Sequence, residues 1–230
     1  KIFVPLLCLV LFIAGAASSY AAAVEKESDD SSAASAQPSI TARSAVLIDA
    51  DSGTVLFENN ADEKLPPASV TKVMTMLLIM EAVDSGKISL DDKVTISERS
   101  ASMGGSQLYM EPGETHTVSE LLTGISMVSA NDACVAMAEY ICGTDDIFVE
   151  KMNEKAKELG LENTHFANTN GLPADDHYSS ARDIAVMSKE LLSHEGILSY
   201  LSSESGTIEV GKEGHTSTIE MINTNKLLKT

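Results

Sequence analysis

Pro66-Pro67-Ala68-Ser69-Val70-Thr71-Lys72 runs without a break into Val73-Met74-Thr75-Met76-Leu77-Leu78-Ile79-Met80. Neither proline can extend a helix backwards, so the stretch predicts a helix that starts near Ala68 or Ser69 behind a fixed backbone. Ser69 then lies at a helix N-terminus, where free N–H groups and the positive end of the dipole favour developing negative charge. Lys72 follows three residues on, about one turn away on the same face. The helix is apolar almost all round, through Val73, Leu77, Leu78, Ile79, Ala82 and Val83, the pattern of a buried core helix. A lysine near the start of such a helix loses solvation, which favours its neutral form and makes it a candidate base for the serine. Taken alone, the same residues also read as an N-cap serine and a lysine whose stem reaches water.

The rest of the chain narrows the choice. Lys1, the apolar run from Ile2 to Ala14 and the small residues ending in Tyr20-Ala21-Ala22-Ala23 predict a secretory signal over 1–23, and with it an exported protein of the cell envelope. A membrane anchor is the competing reading, but the run falls short of the roughly 20 residues a span requires. Residues 24–38, mostly the acidic and Ser/Ala-rich Glu25 to Pro38, predict a disordered linker. Residues 39–230 suffice for one domain with a real core.

The formal net charge is -18, and loss of Lys1 with the leader makes it one unit more negative. Phosphate binding needs basic surface, so nucleic acid is excluded as a partner, and there is no basic patch for anionic lipid. Beyond the leader the cysteines are Cys134 and Cys142. They lie on one predicted helix about 12 Å apart along its axis, too far for a disulfide, and read as buried apolar residues. No C-x-x-C or H-E-x-x-H occurs and the histidines are scattered, so no metal site is expected.

Ser44 to Ala50 and Thr54 to Glu58 are β-type runs joined by Asp51-Ser52-Gly53, a hairpin signal. They are expected to form a sheet edge against which the Ser69 helix packs. That helix stops at Asp84-Ser85-Gly86. Ile88 to Ser106 reads as mixed and loop-rich, with a flexible turn at Gly104-Gly105-Ser106. Thr117-Val118-Ser119-Glu120 is a capping box that opens a helix. Ser129-Ala130-Asn131 falls at a break before a second helix that runs to Gly143. A serine and an amide two residues apart there can turn their side chains the same way, or the serine can simply cap the second helix. Further helices are predicted from Thr144 to Gly160 and after Ser179 or Ser180, so the middle of the chain forms a helical lobe. Thr207 to Val210 and Thr218 to Ile222 read as strands around a turn at Gly211 to Gly214.

Ser69-Val70-Thr71-Lys72 and Ser129-Ala130-Asn131 resemble the first two of three active-site motifs of the penicillin-binding proteins and serine β-lactamases. The flanking stretches Pro66 to Met74, Gly105-Ser106, Ser129 to Ala136, Gly160 to Phe166 and Tyr178 to Asp183 resemble, more narrowly, the exported D-alanyl-D-alanine carboxypeptidases of bacteria. The resemblance covers most of the chain from Ser44 onward. It implies an α/β (α+β) fold of the β-lactamase/transpeptidase type, a mixed sheet flanked by helices beside a helical lobe, with the active site between them. It also implies peptidoglycan stem peptides ending in D-Ala-D-Ala as substrates, β-lactams as covalent inhibitors, and no cofactor. By the same resemblance Ser69 is the nucleophile, Lys72 the general base, Ser129 a proton relay and Asn131 a substrate-binding residue.

One feature departs from the family pattern. Its third motif, Lys-Thr-Gly on a strand lining the cleft, does not occur in these 230 residues; Lys229-Thr230 is not read as that motif. The sheet is therefore expected to be incomplete, and the 230 residues by themselves an inactive, aggregation-prone fragment. The amphipathic C-terminal anchor through which many members associate with membranes is likewise not among them. Two other functions compete. A class A-like β-lactamase shares both motifs but adds a deacylating glutamate, for which Gly160 to Tyr178 offers no match. A penicillin-sensing or wall-binding module keeps the pocket without turnover.

Overall fold

The computed structural model describes residues 40–229 except 213. The leader predicted over 1–23 and the linker predicted over 24–38 lie outside the described residues.

Helix α1, Lys72–Asp84, is the centre of the helical lobe, and the short 3-10 turn Ala68–Thr71 leads into it. Because its apolar residues surround the axis, other helices cover it on several sides. It packs against α3 (Val118–Val128), α4 (Asn131–Cys142), α5 (Asp145–Glu158) and α6 (Ala181–Leu192). Met74, Leu77 and Ile79 lose all exposure there, together with Leu121, Leu122, Met137 and Phe148 from the surrounding helices. Each such side chain contributes about 1.5–3 kcal/mol of burial.

Local chemistry sets the helix ends. Thr117 Oγ1 accepts from Glu120 N at 3.0 Å while Glu120 Oε2 accepts from Thr117 N at 2.7 Å, the reciprocal capping box expected at the start of α3. Thr144 caps α5, with Asp145 and Asp146 in its first turn and Lys155 and Lys157 in its last, each sign matched to the helix dipole. Ser180 caps α6 by accepting from Asp183 N at 3.1 Å. At α1 the chain ends on Ser85, and Gly86 takes the left-handed conformation that stops it.

Among the described residues the strands come as three antiparallel pairs: β1 (Ala45–Ile48) with β2 (Val55–Asn59), β3 (Lys93–Thr95) with β4 (Thr115–Thr117), and β5 (Ser205–Val210) with β6 (Ser217–Ile222). The first and third are the hairpins expected from the sequence. The first packs differently from expectation: β1 lies mainly on α6, and α6 in turn packs on α1. Leu47 and Leu56 remain largely exposed on it. The stretch read as loop-rich holds β3 and the one-turn helix α2 (Glu98–Ala101), and a short helix α7 (Ile197–Leu201) precedes β5. None is long enough to show a period of its own. Cys134 is buried, Cys142 half-buried, and both are free on α4. Among the described residues no helix is long and apolar enough to cross a membrane.

Candidate active site

Ser69 sits in the 3-10 turn with its side chain exposed, and Lys72, the first residue of α1, is buried to 3% exposure. The two prolines leave the chain no helical approach, and Ala68 enters the turn at φ 47. For a residue with a Cβ this is a strained conformation, costing on the order of 1–3 kcal/mol, and it persists only where the surroundings impose it. The N-cap reading of Ser69 fails here, because Pro67 occupies that position with no side-chain cap bond. Instead the serine hydroxyl faces the lysine: Lys72 Nζ lies 3.2 Å from Ser69 Oγ.

Two further partners hold the amine, Asn131 Oδ1 at 2.7 Å and the Asn170 carbonyl at 2.7 Å. Neither carries charge. Burial without a counter-charge disfavours the ammonium, so the Lys72 pKa falls below its ordinary value. The nearby Cys134 does not offset this, since complete burial pushes its thiol up to about 12 and keeps it neutral. A neutral lysine suits the three contacts well. Its two hydrogens can serve the two carbonyl oxygens, which leaves its lone pair to accept a hydrogen bond from Ser69 Oγ.

Asn131 reaches this point because the chain breaks between α3 and α4. Ser129 ends α3 in the left-handed conformation at φ 60, and Ala130, with no cap side chain, precedes α4. The expectation that Ser129 might merely cap the second helix is therefore not met. Its Oγ is buried without a hydrogen-bond partner among the described residues. Asn131 is fixed at both ends of its amide: Oδ1 accepts from Lys72, and Nδ2 donates to the Gly104 carbonyl at 2.7 Å. Its backbone N–H also donates to the Ser106 carbonyl at 2.7 Å. The glycine-rich turn read as flexible thus cradles this residue. Asp132, next on α4 and fully buried, braces the same loop by accepting from Leu108 N at 2.9 Å.

The structure therefore brings Ser69, Lys72 and Asn131 into one hydrogen-bonded cluster, with Ser129 on the connection just before Asn131. Sequence reading missed Asn170, whose contribution is a backbone carbonyl, and Gly171 behind it. The Asn170-Gly171 pair was the available signal, as a turn dipeptide. Gly171 has φ +87, and a Cβ there would overlap the Ala68 carbonyl and come within 2.9 Å of Ser69 N. Gly171→Ala should therefore destabilise the fold by roughly 1–3 kcal/mol and displace the turn that bears Ser69. Thermal unfolding and penicillin labelling should both show the loss, and an alanine variant unchanged in both would contradict this packing. Among the described residues no group of three or more His, Cys, Asp or Glu is placed to hold a metal.

Solved structures of the same architecture are penicillin-binding and D,D-peptidase proteins. They include the D-alanyl-D-alanine carboxypeptidase DacD from Francisella tularensis (TM-score 0.78, 29% identity, 85% of this chain and 58% of that one). Penicillin binding protein 6B from Escherichia coli is also similar (TM-score 0.74, 36% identity, 84% of this chain and 60% of that one). The fold is thus mixed α/β of the penicillin-binding, D,D-peptidase class. Within that class the chain belongs to the D-alanyl-D-alanine carboxypeptidase family, the S11 peptidases, which matches residues 31–230. It is 56% identical over 189 residues to the D-alanyl-D-alanine carboxypeptidase DacF of Bacillus subtilis (strain 168), covering 82% of this chain and 48% of that protein. The chain spans about half the length of the curated relatives it matches.

Proposed function

We propose that the protein acts as a serine-type D-Ala-D-Ala carboxypeptidase on peptidoglycan stem peptides. The observation that carries this reading is a buried lysine whose hydrogen-bond partners among the described residues are neutral, 3.2 Å from an exposed serine hydroxyl, in a chain of this family. Ser69 Oγ passes its proton to Lys72 Nζ and bonds to the carbonyl carbon of the penultimate D-alanine. The Ser69 backbone N–H supplies half of the oxyanion hole. The C–N bond to the terminal D-alanine then breaks, and its amine takes a proton through Ser129. Water cleaves the resulting ester. Asn131 orients Lys72 through Oδ1, and its Nδ2, bonded here to Gly104, is the group for the substrate amide.

A β-lactam presents an amide carbonyl to the same serine and inhibits by forming a long-lived ester. Export by the signal over 1–23 and action in the cell envelope, in peptidoglycan biosynthesis and remodelling, belong to this reading. They are supported by the leader pattern and by where that polymer lies. Against a class A-like lactamase stands the segment from Gly160 to Tyr178, which gives Lys72 a backbone carbonyl at 2.7 Å and no carboxylate among its bonded partners. The test is to incubate the intact protein with a peptide ending in D-Ala-D-Ala and with labelled penicillin. Release of D-alanine and a long-lived adduct are expected. Rapid drug turnover would instead show a lactamase, and an adduct without D-alanine release a sensor.

A further inference from the structure

The loop from Ala167 to Leu172 is fastened to the head of α1 at several points. Thr75 Oγ1 donates to the Thr169 carbonyl at 2.5 Å, and Lys72 Nζ donates to the Asn170 carbonyl at 2.7 Å. Gly171 lies against the backbone of Ala68 and Ser69. The loop has its own brace in Asn168, whose Oδ1 accepts from Gly171 N at 2.7 Å and whose Nδ2 donates to the Leu172 carbonyl at 2.8 Å. One side chain joins the loop to the nucleophile turn itself. His177, buried with Phe166 edge-on to its ring, has Nδ1 2.9 Å from Ala167 N and Nε2 2.7 Å from Thr71 Oγ1. Thr71 lies between Ser69 and Lys72 and is itself buried.

The first of these contacts fixes the second. A backbone N–H can only donate, so Nδ1 must be the acceptor and bears no hydrogen. The neutral ring then carries its proton on Nε2 and donates it to Thr71 Oγ1. Burial, reinforced by the neighbouring His165, lowers the His177 pKa and keeps the ring in this neutral form. Neither Ser69 nor Lys72 is bonded to the imidazole, so its effect on them passes through Thr71 and the loop.

We propose that His177 is a positioning residue for acyl transfer: as the Nε2–H tautomer it locks Thr71, and with it the turn bearing Ser69 and Lys72, onto the Ala167 to Leu172 loop. The proposal rests on the acyl-transfer reading given above. With the lock removed, the Asn170 carbonyl and the backing of Ser69 shift relative to the serine, and a displacement near 1 Å can cost about 100-fold in rate.

The test compares His177→Ala, His177→Gln and His177→Asn in the intact protein. Glutamine places an N–H near the Nε2 position, whereas asparagine places a carbonyl near Nδ1 and offers Thr71 nothing. The second-order rate of acylation by labelled penicillin is expected to fall by roughly 10- to 100-fold in the alanine and asparagine variants and by no more than about 3-fold in the glutamine variant. Nitrogen-15 NMR of histidine-labelled wild-type protein should show a bare Nδ1 and a protonated Nε2 at His177. That measurement stands even where a variant does not fold. A folded alanine variant that acylates at the wild-type rate, rescue by asparagine and not glutamine, or a protonated Nδ1 would each overturn the positioning role. Failure of the acyl-transfer reading would show separately, as no Ser69 adduct in the wild-type protein, and would take the positioning role with it.

Discussion

Ser69→Ala in the intact protein should abolish covalent labelling by penicillin and leave the fold cooperative. Removing the nucleophile of a serine hydrolase costs about a million-fold in turnover, since no other group takes over bond formation. The structural cost is small. Ser69 is exposed and its hydroxyl contributes one hydrogen bond, at 3.2 Å to Lys72, whose other partners stay in place. Stability should therefore change by no more than about 0.5 kcal/mol. Denaturant unfolding and fluorescent penicillin binding, measured on the same preparation, check both halves. Labelling that survives in Ser69→Ala would remove Ser69 from the chemistry.

Lys72→Arg should be nearly as damaging as Lys72→Ala, each lowering acylation by at least roughly 100- to 10,000-fold, the contribution of a positioned general base. Arginine carries a charge it cannot give up, and its bulkier planar head cannot place one nitrogen within reach of Ser69 Oγ, Asn131 Oδ1 and the Asn170 carbonyl as the lysine amine does. It also places a permanent charge where the bonded partners are neutral, so the arginine variant should be the less stable of the two. The pH dependence follows from the same burial. The folded pKa of Lys72 lies below the ordinary 10.5. Wild-type acylation should rise as pH passes upward through that depressed value, because only the free amine accepts the serine proton. Between the depressed pKa and 10.5 the unfolded chain binds a proton that the folded one does not, so stability should increase with pH across this window. Lys72→Ala should flatten that increase. Near-normal acylation by Lys72→Arg would show that another group takes the proton.

These expectations lean on features of unequal visibility in the sequence. The Ser69 to Lys72 spacing, the core character of α1 and the Thr117 to Glu120 capping box were legible because each depends on neighbours within a turn. The meeting of Asn131 with Lys72 required two helices to break at Ser129 and pack around α1, and local reading left open whether that serine was merely a cap. The structure resolves this by giving Ser129 the left-handed conformation that ends α3. Asn170 was harder still, since a carbonyl is common to every residue and the Asn170-Gly171 dipeptide marks only a turn. The hairpin Ala45 to Asn59 was read correctly as a hairpin, but its packing on α6 depends on a partner more than a hundred residues away. Strand β3 and helices α2 and α7 are too short for periodicity to reveal. His177 looked like one of several scattered histidines until its two ring contacts were seen together.

The most direct measurement is to trap the intact protein with penicillin, digest it and locate the adduct by mass spectrometry. The account predicts one penicilloyl group on the peptide containing Ser69, absent after denaturation before exposure to the drug. An adduct on Ser129 or any other residue, or no adduct on a folded and intact protein, would contradict it.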